Sequence, residues 1–321
     1  MSPGPKRIAV CICTLHRLQC LDRLLRSLAQ QTFGVGDHPH VEIVVVDNDP
    51  REGARRTVEE HPLGRRWPLT YAVERRPGIP QARNRCLANV RPDIDFACFV
   101  DDDETVNPDW LDRLISAQQA YDADVVAGRV LPVLPPDAPA WVRKGRLLVW
   151  ARHRTGETIS EAATNNVLFR LDFVRRHRIR FNEEMALTGG TDKLFFEEMR
   201  SRGARMVWCE EAVAHERIPA RRVRPSWFVQ RGFRVGTTDA RIAKLTKGVP
   251  RGTVRAVWLG ASRVAYALLT LPIYLVLGRA PFVYNVTRMA YGVGCLMGTI
   301  GWTYDEYAPM HRRSVPLGTS E

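Results

Sequence analysis

Four consecutive acidic residues, Asp101 to Glu104, follow directly on the apolar segment Phe96 to Val100. Clustered carboxylates repel one another and resist removal from water, so they need a compensating charge. A hard divalent cation such as Mg2+ or Mn2+, bound through oxygen, is the usual partner. The pattern therefore indicates a strand, Phe96 to Asp101, that brings a metal site to the carboxyl edge of a sheet, where open α/β folds bind their ligands. A solvated acidic turn before a helix that starts at Asn107-Pro108 is the alternative.

Three further polar residues, Thr14, Asp47 and Asp49, lie where strands are predicted to end. The apolar segment Val41 to Asp47 ends in a carboxylate and Asp49 follows two residues later, while the segment Arg7 to Thr14 ends in a polar turn. Because ligands of such folds bind at the carboxyl ends of the strands, these side chains should face one pocket. A carboxylate there can accept a hydrogen bond from a base N–H or a ribose hydroxyl. Ordinary turn chemistry is the alternative for all three residues.

Two predicted helix starts carry groups suited to phosphate binding and to proton transfer. Arg83 and Asn84 lie early in a helix that follows Gly78, and an arginine near a helix N-terminus suits a phosphate. Asp192 follows the turn Gly189-Gly190-Thr191. A carboxylate in the first turn of a helix stays ionised, as a general base must. The alternatives are a surface arginine and a carboxylate that only caps its helix.

Composition bounds the class of protein. The chain has 321 residues, of which 45% are hydrophobic, so it can build a large core and is not disordered. Its net charge of +12 predicts an anionic partner: nucleic acid, a phosphorylated small molecule or an acidic membrane surface. The seven cysteines include no C-x-x-C pair and fit core positions in a reducing compartment. The first apolar segment is too short for a signal peptide.

Apolar strands alternate with amphipathic helices through residue 131, which predicts a largely parallel sheet with right-handed crossovers. Strands are expected at 7–14, 41–47, 69–73, 96–101, 124–131 and 205–208, and helices at 18–30, 78–90, 108–121 and 192–202. The stretch 131–139 carries four prolines and reads as a loop.

The composition changes again near the C-terminus. The segment Val264 to Gly278 has no charge, lies between Arg263 and Arg279, and is interrupted by Pro272; a second apolar segment covers 290–302. The first is short for a membrane span, which needs roughly 20 residues. Helices that lie in or dip into the membrane interface are favoured, and a helical pair packed on the domain as ordinary core is the alternative.

Five motifs now occur in order: a first strand ending in a threonine turn, then VVVDNDP, GIPQARN, FVDDDE and LTGGTDKLFFEEM. Over 7–236 the chain resembles family 2 glycosyltransferases, inverting enzymes with a GT-A fold that use nucleotide-diphosphate sugars. It is most similar to bacterial exopolysaccharide transferases of the succinoglycan type and to lipid-linked glycan transferases. The family's DDGS-like segment reads VDNDP here, with Asn48 in place of an acidic residue, a departure that bears on base recognition.

The resemblance implies a role for each candidate residue. The nucleotide-sugar donor would contact Thr14, Asp47, Asp49, Arg83, Asn84, Asp101 and Asp102. Asp103 would bind Mn2+ or Mg2+ directly, with His215 as a further ligand, and Asp192 would deprotonate the acceptor hydroxyl. A lone histidine is more often structural, so that alternative stays open for His215. The acceptor would meet Asn165, Asn166, Arg221, Arg224 and Trp227, although the arginines also suit a solvated basic face against a membrane.

The expected organisation has three parts. Residues 1–236 form an α/β GT-A domain with a Rossmann-like, mostly parallel sheet, in which 1–131 bind the donor and 132–236 hold the acceptor and the catalytic base. Residues 237–304 form a helical, membrane-associated extension, and 305–321 a flexible tail. The expected activity is metal-dependent transfer to a lipid-linked or polysaccharide acceptor at the cytoplasmic face of the bacterial inner membrane, with the protein peripheral or monotopic.

Two other functions fit part of the pattern. A nucleotidyltransferase that makes an activated sugar would share the nucleotide fold, but no glycine-rich phosphate loop follows the first strand. A basic nucleic-acid-binding protein would explain the charge. The acidic strand ends at 47–49 and 101–104 argue against nucleic acid as a partner.

Overall fold

The fold is built on one sheet of eight strands. It is described by a computed structural model that covers residues 5–34, 38–145, 147–148, 153–186 and 188–302; the expected tail at 305–321 lies outside these residues. The strands are β1 Arg7–Thr14, β2 His40–Asp47, β3 Leu69–Val73, β4 Phe96–Val100, β5 Glu104–Val106, β6 Val125–Val133, β7 Asn166–Arg170 and β8 Met206–Arg217.

Ten α-helices surround or extend the sheet within the described residues. They are α1 Leu18–Ala29, α2 Arg55–Glu59, α3 Ile79–Asn89, α4 Trp110–Tyr121, α5 Ala140–Gly145, α6 Leu171–His177, α7 Thr191–Ser201, α8 Pro225–Lys247, α9 Val249–Val276 and α10 Arg279–Thr299. Short 3-10 turns occupy Pro62–Arg65, Glu183–Met185 and Ala220–Val223.

The strand order is β3-β2-β1-β4-β7-β6-β8-β5. The first four strands in this order are parallel, as the alternation of strands and helices predicts. β7 runs antiparallel to both of its neighbours, β6 and β8 are parallel, and β5 is antiparallel to β8. The sheet is therefore mostly parallel and mixed in its second half, and the predicted α/β fold class is confirmed.

Strand β2 shows why its sequence is an unbroken apolar run. Ile43 and Val45 enter one core cluster, whereas Val44 and Val46 enter the cluster on the opposite face of the sheet. A strand covered by helices on both faces has no solvent side to make polar. In the register of the two strands Thr14 stands opposite Asp47, so the polar groups that end β1 and β2 meet at one edge.

The second half departs from the sequence prediction in length and position. β8 is twelve residues long, whereas the prediction gave four. The sequence did not indicate the longer strand, because its middle carries Glu210 and Glu211 and lacks an apolar pattern. A register shift at Gly128/Arg129 of β6 accommodates that segment. β6 also runs to Val133, into the proline-rich stretch expected to be a loop.

The C-terminal helices pack on one another at small residues. α10 lies against both α8 and α9, and a Cβ on Gly236 would stand only 2.1 Å from the carbonyl oxygen of Tyr291. The predicted boundary at 236/237 falls within α8, which continues without a break. Close helix contact of this kind requires glycine at the crossing.

Helix α9 is longer than the apolar segment indicates. It begins at Val249 and continues through Pro272, and its 28 residues span about 42 Å. Much of its surface is apolar and exposed, including Leu269 at 80% and Val276 at 88%. Among the described residues it is the one helix long and apolar enough to cross a membrane by length and composition, which is compatible with membrane association.

A glycine controls the approach of α7 to α8. Gly190 has φ of 80°, and a Cβ there would lie 2.3 Å from Cγ2 of Thr238. We expect Gly190→Ala to lower the free energy of unfolding by about 2–4 kcal/mol, because left-handed strain adds to overpacking. Gly203→Ala is the matched control, since Gly203 has φ of 92° but nothing within 4 Å of the added carbon; it should cost about 1 kcal/mol. Urea denaturation followed by tryptophan fluorescence measures both, and equal losses would contradict the packing argument.

Candidate active site

The acidic residues 101–103 form a turn between β4 and β5, at the edge where β1 ends. The hydroxyl of Thr14 donates to Oδ2 of Asp102 at 2.8 Å. Arg17 donates to Oδ1 of Asp102 at 3.0 Å and to Oδ2 of Asp103 at 2.8 Å. Arg17 lies in the polar turn after β1 and was not among the predicted site residues. Its position before an amphipathic helix resembles any surface arginine, so only the fold reveals that it faces the carboxylates.

Burial controls the charge of this turn. Removal from water raises the pKa of Asp101 to about 7, against the opposing effect of the Arg83 cation. The same cause raises the pKa of Asp102 to about 6, with Arg17 opposing it. Desolvation also raises the pKa of Glu104 well above its usual range. The cluster therefore resists full ionisation on its own, and a bound cation would favour its charged form.

The end of β2 lies beside this turn. Oδ1 of Asp47 accepts from the backbone N–H of Asp49, while its Oδ2 accepts from the Ala54 N–H and the Tyr71 hydroxyl, all at 2.8–2.9 Å. Oδ2 of Asp49 lies 3.2 Å from Nδ1 of His16, in the same turn as Arg17. Both aspartates are nearly fully buried. The proposed contacts of Asp47 and Asp49 with a nucleoside would have to use the remaining lone pairs of these carboxylates.

Helix α3 contacts the first turn of α7 and the segment before it. Arg83 donates to the Thr191 hydroxyl at 2.8 Å and lies over the ring of Phe181. Asn84 donates to the Phe181 carbonyl at 2.9 Å and to Glu183 at 3.1 Å, and accepts from the Phe181 N–H at 3.0 Å. Arg83 lines the central cleft, whereas the contacts of Asn84 hold the loop in front of α7.

A cleft of about 630 Å3 brings the predicted groups together. Its walls include these predicted residues: Arg83, Asp101, Asn165, Asn166, Asp192 and Trp227. Asp192 lies in the first turn of α7 and its Oδ1 accepts from the Lys193 N–H at 2.9 Å. The other carboxylate oxygen has no hydrogen-bond partner among the described residues, so it can accept a proton from a bound hydroxyl.

Strand β8 presents Glu216, not His215, to the acidic turn. Nε2 of His215 lies 3.0 Å from Oδ1 of Asn107. Adjacent residues of a strand point to opposite faces, and the carboxyl of Glu216 borders the cleft. Burial raises the pKa of Glu216, and the charge of Asp103 raises it further, against the opposing effect of Arg222. Glu216 is a site residue that the sequence analysis missed, because its position depends on the pairing of β8 with β5.

The predicted basic residues divide into two groups. Arg221 and Arg224 are exposed and do not line the cleft. Arg222 does line it and forms an ion pair with Glu216 at 2.6 Å. Trp227 also lines it, with the Arg231 guanidinium 5.2 Å from its ring centroid. The acceptor contacts assigned to Arg221 and Arg224 stay predictions, whereas Arg222 and Trp227 line the cleft.

Asn166 joins four elements at the floor of the cleft. Its Oδ1 accepts from the indole N–H of Trp110 at 2.8 Å, and its Nδ2 donates to the carbonyls of Arg129 and Ala212 at 2.9 and 2.8 Å. The side chain is 2% exposed. Asn165, beside it, lines the same cleft and is the freer of the two to meet a substrate.

Removing the Asn166 amide should therefore destabilise the protein. We expect Asn166→Ala to lower the free energy of unfolding by about 2–4 kcal/mol, because the Trp110 N–H and two carbonyls lose buried partners. Asn89→Ala is the control, since Asn89 makes one exposed bond to the Arg85 carbonyl; its effect should be within about 0.5 kcal/mol. Urea denaturation measures both. A loss in Asn166→Ala no larger than in the control would show that the network adds no net stability.

The turn fits a divalent cation in part. Carboxylate oxygens suit Mg2+ and Mn2+, and Oε1 of Glu104 is buried without a hydrogen-bond partner in the described structure. Across the described ranges no group of three or more His, Cys, Asp or Glu side chains is arranged to hold a metal by itself. Mg2+ is usually held by one or two carboxylates together with substrate phosphates. The residues present therefore fit an ion that is completed by a diphosphate.

Comparison with known proteins agrees with this geometry. Residues 9–182, more than half of the chain, match the model of Glycosyl transferase family 2. The chain is 36% identical over 239 residues to the Succinoglycan biosynthesis protein ExoM of Rhizobium meliloti (strain 1021), covering 73% of this chain and 74% of that protein.

Solved structures share the fold at low sequence identity. The mannosyltransferase PcManGT from Pyrobaculum calidifontis, in complex with GDP-Man and Mn2+, superimposes with a TM-score of 0.59 at 18% identity, over 93% of this chain and 88% of that chain. S. aureus TarS 1-349 in complex with UDP-GlcNAc gives a TM-score of 0.53 at 17% identity, over 93% of each chain. The family model, the relative and the shared architecture lead to one conclusion: the chain is a GT-A-fold enzyme that belongs to glycosyltransferase family 2.

Proposed function

We propose that this enzyme transfers a sugar from a nucleotide-diphosphate donor, UDP-linked in the first instance, to a lipid-linked or polysaccharide acceptor with inversion at the anomeric carbon. One observation carries the proposal. Asp192, a carboxylate at a helix start with one unengaged oxygen, borders the same cleft as Asp101 of the acidic turn. A base and a site for an anionic leaving group therefore share one cleft.

The donor would lie along the carboxyl edge of the sheet. Its nucleoside would meet the end of β2 at Asp47 and Asp49, with Thr14 on the neighbouring strand. Thr14 stands opposite Asp47 in the register of β1 and β2, which supports a shared role for the two side chains. Two structurally similar proteins carry UDP-GlcNAc and GDP-Man in their complexes, which supports a nucleotide sugar as the donor class. Arg83 and Asn84 would contact the donor from α3.

The leaving diphosphate would face the acidic turn. Asp103 would hold Mn2+ or Mg2+, with Asp101 and Asp102 beside it. Arg17 forms ion pairs with both Asp102 and Asp103 and offsets part of their charge. When bound, the ion would supply Lewis-acid stabilisation of the developing negative charge. His215 would join this site only with a change of its contact to Asn107.

Asp192 would act on the acceptor. The unengaged oxygen of Asp192 accepts the proton of the acceptor hydroxyl. At the same time the hydroxyl oxygen of the acceptor forms a bond to the anomeric carbon, and the bond between that carbon and the diphosphate breaks. Attack from the face opposite the leaving group inverts the anomeric centre. Asn165, Asn166 and Trp227 line the same cleft. Asn165 and Trp227 would orient the acceptor sugar, and Asn166 would hold the floor of the cleft beside them.

The apolar helix α9 and the basic balance support a membrane setting. A positively charged protein is attracted to an anionic leaflet by about 1 kcal/mol for each basic residue near the surface. We place the enzyme at the cytoplasmic face of the inner membrane, peripheral or monotopic. The 36% identity to a succinoglycan biosynthesis protein supports a role in exopolysaccharide synthesis.

The test is nucleoside-diphosphate release from a panel of UDP- and GDP-sugars, each measured with Mn2+, with Mg2+ and with EDTA. Release of UDP from one donor, abolished by EDTA, supports the proposal and identifies the sugar. UDP binding without release indicates that the acceptor is missing. Neither binding nor release of any nucleotide sugar, with any metal, would refute the donor site.

A further inference from the structure

A second cleft of about 400 Å3 opens beside the first, between α8, α9 and α10. The two clefts share a wall formed by Glu216, Arg222, Trp227, Arg231 and Val235. The two clefts therefore adjoin at these residues.

The second cleft is strongly basic. Arg222 and Arg231 stand on the shared wall, and Arg263 of α9 and Arg288 of α10 line the far side. Glu216 is the one acidic side chain among the described lining residues, and it lies 2.6 Å from Arg222. This excess of guanidinium groups selects for an anion, and arginine matches phosphate geometry better than any other side chain.

Aromatic rings hold two of these arginines. The Arg288 guanidinium lies 4.6 Å from the ring centroid of Tyr266 and 5.2 Å from that of Tyr284. Arg231 lies 5.2 Å from the ring of Trp227. A guanidinium stacked on a ring is held in place, so it loses less freedom when it binds a phosphate.

Much of the remaining lining is apolar. Leu147, Ile218, Phe228 and Val235 contribute it. A free phosphate or a bare sugar nucleotide would gain nothing from these side chains, because apolar surface favours an apolar ligand. The combination fits an amphiphile whose phosphate is joined directly to a hydrocarbon chain.

The position of Arg263 relates the cleft to the membrane-facing helix. Arg263 lines the cleft, and the uncharged segment of α9 begins at the next residue. That segment exposes Leu269 and Val276. Arginines that flank an apolar helical segment lie at the level of lipid headgroups. The phosphate of a membrane lipid would therefore lie at the same depth as this cleft.

We propose that the second cleft binds the phosphate or diphosphate and the adjoining part of the hydrocarbon chain of a membrane-anchored lipid that carries the acceptor sugar. The inference rests on the proposed transferase function and specifies its acceptor. The lipid phosphate lies among Arg231, Arg263 and Arg288, and the attached sugar passes Trp227 to reach Asp192 in the first cleft.

The test is binding of farnesyl diphosphate, a soluble short lipid diphosphate, to the full chain, measured by tryptophan fluorescence in the presence of saturating UDP and Mn2+. Inorganic diphosphate and farnesol are the comparison ligands. We expect farnesyl diphosphate to bind about tenfold or more tightly than either, since both halves of the ligand contribute. Arg263→Gln and Arg288→Gln, singly and together, should each weaken it by about tenfold.

Arg255→Gln is the matched control. Arg255 is an exposed arginine of the same helix α9 and does not line the cleft, so its loss should leave farnesyl diphosphate affinity within about twofold. UDP affinity, measured in every variant, reports whether the protein is folded and whether the donor site is present. If the wild type binds UDP but binds farnesyl diphosphate no more tightly than inorganic diphosphate or farnesol, this inference alone is overturned. If the wild type does not bind UDP, the proposed function is overturned instead.

Two further outcomes would also overturn the inference. The first is displacement of farnesyl diphosphate by UDP, which would place the probe in the donor site. In the second outcome, Arg255→Gln and Arg263→Gln weaken binding of the protein to phosphatidylglycerol vesicles equally, and neither variant changes the affinity for farnesyl diphosphate. That result would assign the arginines to general attraction by an anionic membrane.

Discussion

Asp192→Asn is expected to lower the rate of sugar transfer by about 10^3-fold while leaving UDP affinity unchanged, because a positioned general base contributes about 10^2 to 10^4 in rate. The carboxylate borders the cleft and its Oδ1 is already held by the Lys193 N–H at 2.9 Å. An amide at this position can keep that hydrogen bond through its oxygen. The substitution therefore removes the basic oxygen and preserves the local structure.

Asp172 offers a close control for this variant. It also lies in the first turn of a helix, and its Oδ1 accepts from the next backbone N–H, of Phe173, at 2.8 Å. Asp172→Asn removes the same charge from an equivalent position outside the cleft, so any loss due to the helix dipole should appear in both variants. Steady-state transfer and UDP binding measure the pair. A similar, small loss of turnover in both would mean that Asp192 only stabilises its helix.

The residues that were predictable are those whose environment is set by their own strand or helix. Asp47, Thr14 and the turn after β4 follow apolar runs that could only be buried strands, and parallel strands align their carboxyl ends. Asp192 follows two glycines with φ of 78° and 80°, a signal of a turn into a helix. In each case the local sequence predicts both the strand or helix and the residue at which it begins or ends.

The residues that were missed depend on contacts between distant segments. Arg17 reaches Asp102 and Asp103 across 85 and 86 positions of sequence, and nothing in its neighbours indicates that target. Glu216 faces the cleft because β8 pairs with both β6 and β5. The sequence analysis assigned a ligand role to the neighbouring His215 through the family resemblance, and that role stays a prediction. Strand alternation places the side chains of His215 and Glu216 on opposite faces.

The strand predicted before the acidic residues is one residue too long. β4 ends at Val100, one residue before the predicted end, and Asp101 to Asp103 form a turn. Strand geometry therefore does not assign Asp101 and Asp103 to a common face. Asp102 is held by Thr14 and Arg17, whereas one oxygen of Asp103 contacts Arg17 alone. Asp103 therefore has fewer side-chain contacts than Asp102 within the described structure, which favours it over Asp102 as the metal ligand.

Asp103→Asn should separate metal binding from protein folding. We expect the variant to bind Mn2+ about tenfold or more weakly in the presence of UDP and to lose about 10^3-fold in turnover, since a lost anionic ligand weakens both the site and the stabilisation of the leaving group. The side chain is only 15% exposed, but asparagine is close to its shape and can still accept from Arg17. The folded structure should therefore persist.

Free Mn2+ measured by electron paramagnetic resonance gives a readout that does not depend on turnover. Asp109→Asn is the matched control, because Asp109 pairs with Arg113 at 2.8 Å, the same separation as Asp103 and Arg17, but on an exposed loop. If both variants retained wild-type Mn2+ affinity while only Asp103→Asn lost turnover, Asp103 would act on the donor sugar or on Arg17. The metal would then have to be held by the donor diphosphate with other residues of the turn. A tenfold weaker Mn2+ affinity confined to Asp103→Asn would instead establish the ligand, because the two variants lose the same charge and the same kind of ion pair, and only Asp103 belongs to the acidic turn.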